Sequence, residues 1–327
     1  MYDLNNIKIK FLFDQCQTLD ISDEEYFSDK YKDYISNSGL SYINPEQNGG
    51  PYEYMTRKSI IGNTSLDVGS IIHMDVLQDI KANVLYIDKP RGTKISLTVD
   101  RVIEEIKKGS SKEDAFRTVF DLGDYYAKNY EIFYRNVAEY DRYIESKLEG
   151  KYDYILTKED CNNINNCISA LADYKNTLLR PKDLEYYNEL TIICPIEISF
   201  ADSDVIKTLY FKCKIDNFTV DDKKRKLVLN DLKTTYRRME DFHMSIDHYH
   251  YYRQMALYLY VLSNSSERYK NYQLQANILA VSTTDYSTGI FRFSQDDIKK
   301  GSYEFINLIK RVGFHETFGY DRLIDDL

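Results

Sequence analysis

Hydrophobic residues recur at every second position along much of the second half of the chain, which is the spacing of a strand with one buried face. Segments with apolar residues three and four apart, the spacing of amphipathic helices, separate and follow these strands. The predicted elements of this half are, in chain order, strands over 189–200, 206–216 and 227–234, a helix over 246–263, strands over 273–282 and 288–293, and a helix over 295–313.

The first half of the chain has mainly helical spacing. A helix capped by Asp67 is predicted over 68–80, and a short apolar strand follows it over 83–87. Further helices are predicted over 97–108, 112–127, 129–148 and 157–178. This block is an insertion between the first helix and the strands.

The composition and the pattern together predict an α/β protein. A chain of 327 residues with 43% hydrophobic content can bury a substantial core. Residues 1–40 are acidic, tyrosine-rich and weakly periodic, and we expect a loosely packed N-terminal arm there. We expect a single domain over 41–315, with the helical insertion at about 97–178, and a C-terminal tail over 316–327.

Two aspartates and a lysine fall where a predicted hairpin brings them together. Asp216 ends one strand, while Asp231 and Lys233 lie on the next strand, two residues apart and therefore on one face. Converging carboxylates can hold a hard divalent cation that polarises a water. Because a solvated hairpin often carries such residues by chance, the hypothesis of a phosphodiesterase site depends on the flanking sequence.

Two further patterns flank this hairpin. Gly69 and His73 form G-x-x-x-H in the first predicted helix, and Gln254 and Tyr258 form Q-x-x-x-Y in the helix after the strands. The chain thus contains, in order, a G-x-x-x-H helix, a strand that ends in Asp216, a D-x-K strand and a Q-x-x-x-Y helix. In this order the four elements resemble the RecB-like branch of the PD-(D/E)xK nuclease superfamily, close to the exonuclease VIII-type proteins of phages. One departure is Ile215, which stands where the family name expects proline. The resemblance implies a restriction-endonuclease-like αβββαβ core, with a mixed sheet flanked by helices and a helical insertion.

The resemblance also implies a metal site. His73, Asp216 and Asp231 match the metal ligands, helped by the main-chain carbonyl of Leu232. Lys233 matches the lysine that orients or activates the attacking water and offsets charge in the transition state.

Other residues are implied around this centre. Gln254 and Tyr258, four residues apart, match a catalytic pair whose helix face looks toward the site and the DNA phosphates. A glutamate on the preceding strand often belongs to the family's site. Glu197 is the candidate for it here, and Glu185 and Glu189 compete for the same role.

The implied cofactor is Mg²⁺, for which Mn²⁺ can substitute, because hard oxygen ligands favour these ions over zinc. Some RecB-like nucleases carry an iron–sulfur cluster bound by cysteines on both sides of the core. No cysteine follows Cys213 here, so we expect no cluster. The cysteines number five, and this odd count argues against a disulfide framework.

DNA is the expected partner, although the net charge of −9 argues against a protein that binds it mainly by counterion release. Arg237 and Arg238 lie just past the strand with Lys233 and are candidate DNA contacts, or else solvated surface. A single-strand annealing or recombination protein is a further candidate partner, and an oligomer is compatible with the sequence. With no apolar run of membrane-spanning length and no signal peptide, we expect a cytoplasmic protein without a membrane partner.

The favoured interpretation is a metal-dependent deoxyribonuclease, with an exonuclease of phage-type recombination, replication or repair preferred over an endonuclease. Two alternatives remain at this point. One is a catalytically silent nuclease-fold module that binds DNA or supports a phage assembly. The other is a tyrosine-rich interaction scaffold in which the hairpin pattern is accidental, since the chain has 31 tyrosines.

Overall fold

The computed structural model describes residues 2–57, 64–123, 129–322 and 324–325. Its strands are β1 (Tyr2–Asp3), β2 (Ile7–Phe11), β3 (Gln17–Leu19), β4 (Val84–Tyr86), β5 (Tyr154–Leu156), β6 (Glu185–Phe200), β7 (Ser203–Asp221), β8 (Lys226–Thr235), β9 (Gln273–Ser282), β10 (Thr288–Arg292) and β11 (Ile324–Asp325). Its helices are α1 (Asp23–Tyr26), α2 (Asn37–Ser41), α3 (Pro51–Met55), α4 (Thr64–His73), α5 (Thr93–Lys107), α6 (Lys112–Asp121), α7 (Tyr130–Ala138), α8 (Asp141–Glu149), α9 (Lys158–Tyr174), α10 (Phe242–His248), α11 (Tyr251–Asn264) and α12 (Gln295–Phe318). Single π-helical turns extend α4 over Met74–Gln78 and α9 over Lys175–Leu179.

The chain divides into two compact units, of which the first contains residues 1–61, 76–78 and 169–327. Its main sheet has the strand order β10-β9-β8-β7-β6-β2, and β3 pairs with a second stretch of β6. Strands β8 and β9 are parallel, and the other neighbouring pairs are antiparallel. The predicted mixed sheet flanked by helices is therefore observed.

Two long helices cover the core of the first unit. Helix α11 is buried along nearly its whole length, and α12 packs against it. Gly301 permits this close packing, because a Cβ at that position would lie 2.2 Å from the backbone oxygen of Tyr252. Helix α12 begins with a capping box in which Ser294 and Asp297 satisfy each other's backbone N–H groups. The apolar sides of the strands and of these two helices form one continuous hydrophobic cluster.

The N-terminal residues differ from the expected loosely packed arm. Strand β2 pairs with β6, and Ile7 and Phe11 belong to the main hydrophobic cluster. Ile35 bridges to Phe211 of β7 and is 1% exposed. The weak periodicity that suggested an arm arises because these elements are short and separated by turns. Within the expected C-terminal tail, α12 extends to Phe318 and β11 pairs with β1.

The second unit contains residues 62–75 and 79–168, of which 64–75, 79–123 and 129–168 are described. It includes most of the predicted helical insertion. Helices α5 to α8 bury their own apolar cluster, which includes Val102, Phe116 and Phe133. Strands β4 and β5 pair in parallel.

Three helix predictions were wrong in detail. The helix predicted over 129–148 is split into α7 and α8, and the helix over 246–263 is split into α10 and α11. The second break occurs at His250, whose φ of 53° is left-handed and cannot continue a right-handed helix. Asp67 does not cap its helix, because α4 already begins at Thr64. Part of the helix over 112–127 lies outside the described residues.

The cysteines also differ from expectation at one point. Cys16 and Cys194 form a disulfide between the turn before β3 and the centre of β6, and Cys161, Cys167 and Cys213 take no part in a disulfide among the described residues. Odd numbers exclude complete pairing, but they do not exclude a single bond. Among the helices in the described part of the chain, none is both long enough and apolar enough to cross a bilayer.

Candidate active site

The candidate site lies where β7 and β8 stop pairing. Their antiparallel register ends at Asn217 opposite Asn230, so Asp216 and Asp231 are the first residues beyond it. Strand β8 stays paired with β9 as far as Thr235, so it separates from β7 but not from β9. The freed N–H of Leu232 donates to Asp216 Oδ2 at 2.8 Å. The two aspartates predicted from the sequence are thus brought together at an opening in the sheet.

Asp231 is held by two predicted site residues. Lys233 Nζ lies 2.6 Å from Asp231 Oδ2, and Gln254 Nε2 of α11 donates to Asp231 Oδ1 at 2.8 Å. The Asp231 side chain is 2% exposed, whereas that of Lys233 is 22% exposed. Lys233 also lies 5.3 Å from the ring centre of Tyr251, a contact that the sequence did not indicate. The ammonium group is therefore held beside Asp231, while the Lys233 side chain as a whole stays partly exposed.

The charges near Lys233 keep it protonated. Burial disfavours the charged form, but Asp231 and Asp216 outweigh this effect and raise the pKa of Lys233 above its usual value. Such a lysine donates hydrogen bonds and carries positive charge, but it does not accept a proton near neutral pH. Burial raises the pKa of Asp216, while Lys233 and the N–H of Leu232 act in the opposite direction.

Glu189 of β6 is the carboxylate that joins Asp216. Carboxylate oxygens of the two residues lie within 4.8 Å of each other. Lys214 Nζ lies 3.1 Å from Glu189 Oε2 and also contacts Asp23. Burial, and after it the charge of Asp216, raises the pKa of Glu189 to about 7. Two half-buried carboxylates at this distance repel each other, so the pair suits a divalent cation.

The backbone of Glu189 is unusual for a strand. Its φ is 54°, although its neighbours pair regularly, Asn188 with Asn217 and Leu190 with Ile215. A left-handed residue other than glycine costs on the order of 1–3 kcal/mol and persists where the surrounding structure holds it. Here the distorted residue stands directly opposite Asp216. The strain is located at the residue that supplies the second carboxylate.

Glu197, the glutamate favoured from the sequence, is not part of this cluster. It pairs with Thr208 across β6 and β7, and its Oε2 lies 3.7 Å from Lys10 Nζ. Thr208 is eight positions from Asp216 along β7, or roughly 26 Å at the rise of a strand. Glu185 is also elsewhere, in an ion pair with Arg268. Of the three glutamates considered, the structure places Glu189 beside Asp216.

The remaining predicted residues have different surroundings. Tyr258 lies on α11 one turn after Gln254 and is 9% exposed; burial raises its pKa well above 10, and the charges of Asp231 and Asp216 add to the shift. His73 is the last residue of α4, in the second unit. Arg237 and Arg238 follow the end of β8. Arg238 is exposed and lies 3.7 Å from Glu240, while Arg237 is half-buried beside the ring of Tyr236.

A ladder of buried and half-buried amides lies on the face of β8 opposite Asp231, since successive residues of a strand point to opposite faces. Asn230 Nδ2 donates to Asn217 Oδ1 at 2.8 Å and Asn230 Oδ1 accepts from Asn277 at 2.9 Å. Asn217 in turn donates to Asn188 at 2.7 Å, and Gln275 donates to Asn277 at 2.8 Å. The amide ladder thus connects β6, β7, β8 and β9.

The amide ladder fixes the register of the strands that carry the carboxylates. A shift of one residue would break every side-chain hydrogen bond in it and leave buried amides without partners. The sequence contains a signal for this feature, because Asn217 and Asn230 are polar residues inside apolar strands, each next to an aspartate. Their partnership was not predicted, because it depends on the register.

Comparisons with known proteins give distant similarities. No profile of a known protein family matches the chain, and no curated protein matches it. The chain is similar to a crystal structure from Eubacterium rectale named "Putative exonuclease", with a TM-score of 0.44 and 13% identity over 94% of this chain and 96% of that one. It is also similar to Scheffersomyces stipitis Rai1 in complex with (3'-NADP)+ and calcium ion, with a TM-score of 0.24 and 8% identity over 95% and 84% of the two chains. At these values neither similarity carries an argument about function.

Proposed function

We propose that this protein is a metal-dependent nuclease of the PD-(D/E)xK type that hydrolyses phosphodiester bonds of DNA. The observation that carries the proposal is the convergence of Asp216, Asp231 and Lys233 at the point where β7 and β8 diverge. Gln254 supports it, because its hydrogen bond to Asp231 connects the helix pattern to the hairpin pattern. An accidental D-x-K on a surface hairpin would not be buried or bonded in this way.

The residues present fit a hard divalent cation. Glu189 and Asp216 offer carboxylate oxygens within 4.8 Å of one another, and carboxylates are the preferred ligands of Mg²⁺ and Mn²⁺. We propose Asp231, the Leu232 carbonyl and His73 as the further ligands. When bound, such a cation neutralises charge on the phosphate and acidifies a water.

The chain's own groups then have separate roles. Lys233, held charged by Asp231, donates to the attacking water or to the phosphate and offsets the charge that develops there. Gln254 holds Asp231 in position through its other oxygen. Tyr258 lies one helical turn from Gln254, and the charges of both aspartates act on its pKa, so we assign it a positioning role. Arg237 and Arg238 follow β8 and are the proposed phosphate contacts outside the site.

The preference for an exonuclease of phage-type recombination, replication or repair rests on the sequence resemblance. It is tested by incubating purified protein with end-labelled linear duplex, single-stranded and covalently closed circular DNA, in Mg²⁺, Mn²⁺ or EDTA. We expect metal-dependent loss of the linear DNA with the circles intact. Cleavage of circles would identify an endonuclease, and no cleavage of any DNA would contradict the proposal.

The site assignment is tested with Lys233→Met and Asp231→Asn. Both are expected to reduce cleavage by about 10²–10⁴-fold, because each removes a group that acts on the reacting phosphate or its water. Far-ultraviolet circular dichroism and the urea midpoint serve as controls for folding. A folded variant with wild-type cleavage would remove that residue from the site.

A further inference from the structure

A cavity of about 400 Å³ lies in the first unit beside the part of β7 that β8 does not reach. We call it the tyrosine cleft. Its floor and walls come from the turn before α2, the end of α3, strand β7 and the end of α12. The residues that give it its chemical character are Tyr34, Tyr54, Tyr210, Tyr320, Arg57 and Lys207.

The four tyrosines form two stacked pairs. The ring centres of Tyr34 and Tyr210 are 5.1 Å apart with an interplanar angle of 20°, and those of Tyr54 and Tyr320 are 6.4 Å apart with the same angle. Tyr54 is buried, but Tyr210 is 44% exposed. A planar aromatic ligand can therefore stack on Tyr210 without displacing the pair that supports it.

Two cations line the same cleft. The Arg57 guanidinium lies 3.8 Å from the ring centre of Tyr54, and its Nη1 donates to the Tyr54 carbonyl at 2.7 Å. This orients the guanidinium group, and no acceptor in the described ranges of the chain engages its other nitrogens. Lys207 makes no ion pair with any residue in the described part of the chain. Both side chains line the cleft and carry donors that suit a phosphate group.

Two carboxylates oppose these cations. Asp33 and Glu316 also line the cleft, and Glu316 accepts a hydrogen bond from the Tyr320 hydroxyl. The cleft is therefore close to neutral in charge, and long-range attraction of a polyanion does not explain binding there. Recognition has to come from ring stacking and from short hydrogen bonds donated by the two cations, while the carboxylates can accept hydrogen bonds from the amino groups of bases.

We propose that the tyrosine cleft binds one unstacked nucleotide of a single-stranded nucleic acid, with the base on Tyr210 and the phosphate between Arg57 and Lys207. The inference rests on the proposed function, because that function makes nucleic acid the ligand. A single strand is required because bases in a duplex do not offer their faces to a protein ring. Tyr210 is six positions from Asp216 along β7, or roughly 20 Å, so the cleft is separate from the cleavage site.

The test is equilibrium binding of a fluorescein-labelled single-stranded oligonucleotide in EDTA, measured by anisotropy so that cleavage plays no part. Tyr210→Ala is expected to weaken binding by about 5- to 150-fold, the effect of losing one base stack, and Tyr210→Phe is expected to retain most affinity. Lys207→Gln should reduce the slope of log K against log salt by about 0.7. Tyr303→Ala removes a 73% exposed ring elsewhere on α12 and is the matched control.

Two results would overturn the inference. One is wild-type affinity in both Tyr210→Ala and Lys207→Gln. The other is full competition by a free mononucleotide at the same concentration as the oligonucleotide, which would identify a site for free nucleotides. The cleavage assay with Lys233→Met is independent of both results. If the protein cleaves DNA but binds the oligonucleotide equally well without Tyr210 and Lys207, only the proposal for the tyrosine cleft is contradicted. If binding depends on Tyr210 but no DNA is cleaved, only the nuclease proposal is contradicted.

Discussion

Replacing Asn230 by leucine tests whether the amide ladder holds the carboxylate strands in register. Asn230 is fully buried and contributes one donor and one acceptor to the ladder. Asn230→Leu keeps the side-chain volume but leaves Asn217 Oδ1 and Asn277 Nδ2 buried without this partner. Each orphaned group costs about 1–3 kcal/mol, so the free energy of unfolding should fall by about 2–6 kcal/mol. A typical domain has a free energy of unfolding of about 5–15 kcal/mol, so this loss is a large part of it.

The matched control is Gln275→Leu at the end of the ladder. Gln275 is half-buried, and its hydrogen bond to Asn277 Oδ1 is the one that this variant removes from the ladder, so a single buried group loses its partner instead of two. We expect a loss of about 1–3 kcal/mol, about half of that in Asn230→Leu. Urea unfolding of both variants, followed by circular dichroism of the sheet, gives the comparison. Equal losses in the two variants, or a smaller loss in Asn230→Leu, would refute the reasoning that internal ladder members fix the register.

Three further variants test other parts of the structure. Glu189→Gln should weaken Mn²⁺ binding by at least about tenfold, measured calorimetrically, whereas Glu197→Gln, on the same strand but remote from Asp216, should not. Burial lowers the pKa of Lys212 from its usual 10.5 to about 8, so between these pH values the unfolded chain binds more protons than the folded one. Wild-type protein should therefore gain stability relative to Lys212→Met as the pH rises from about 8 to 10, and a constant difference in urea midpoint would contradict this. Gly301→Ala should destabilise the protein by at least about 1–3 kcal/mol, because the added Cβ would meet the α11 backbone. Gly39→Ala is the control: its Cβ would meet only a serine hydroxyl at 3.2 Å, so thermal melts should show a smaller loss of stability.

The strand pattern was predictable because one face of each strand is buried and alternation records this directly. The strand expected over 273–282 is observed with these bounds, and the one over 227–234 extends by one residue at each end. The breaks at His250 and Tyr140 were not predictable from periodicity, since both helices of each pair keep helical spacing. At His250 the break coincides with a tertiary contact, the 2.9 Å approach of its ring nitrogen to Glu304, which periodicity does not record.

The pairing of Asp216 with Glu189 shows a second limit. Counting outward from the pair Phe200 and Ser203 at the turn between β6 and β7 would place Asp216 opposite Tyr187. The irregularity between Ser199 and Phe200 shifts the register by two residues, and Glu189 takes that place instead. A bulge of this kind leaves no mark in the hydrophobic pattern. The two aspartates, in contrast, follow from the strand order alone.

The pairing of β2 with β6 has a consequence for how the protein is made. Ile7 pairs with Phe200, so the partner of the first core strand is synthesised 193 residues later. At about 5–20 residues per second, a ribosome needs about 10–40 s to add that length of chain. During this interval the apolar side of β2 has no strand to cover it, and it is available to chaperones or to another nascent chain. Slower translation of the helical insertion would prolong that exposure, so the yield of folded protein should depend on elongation rate even though the finished fold does not.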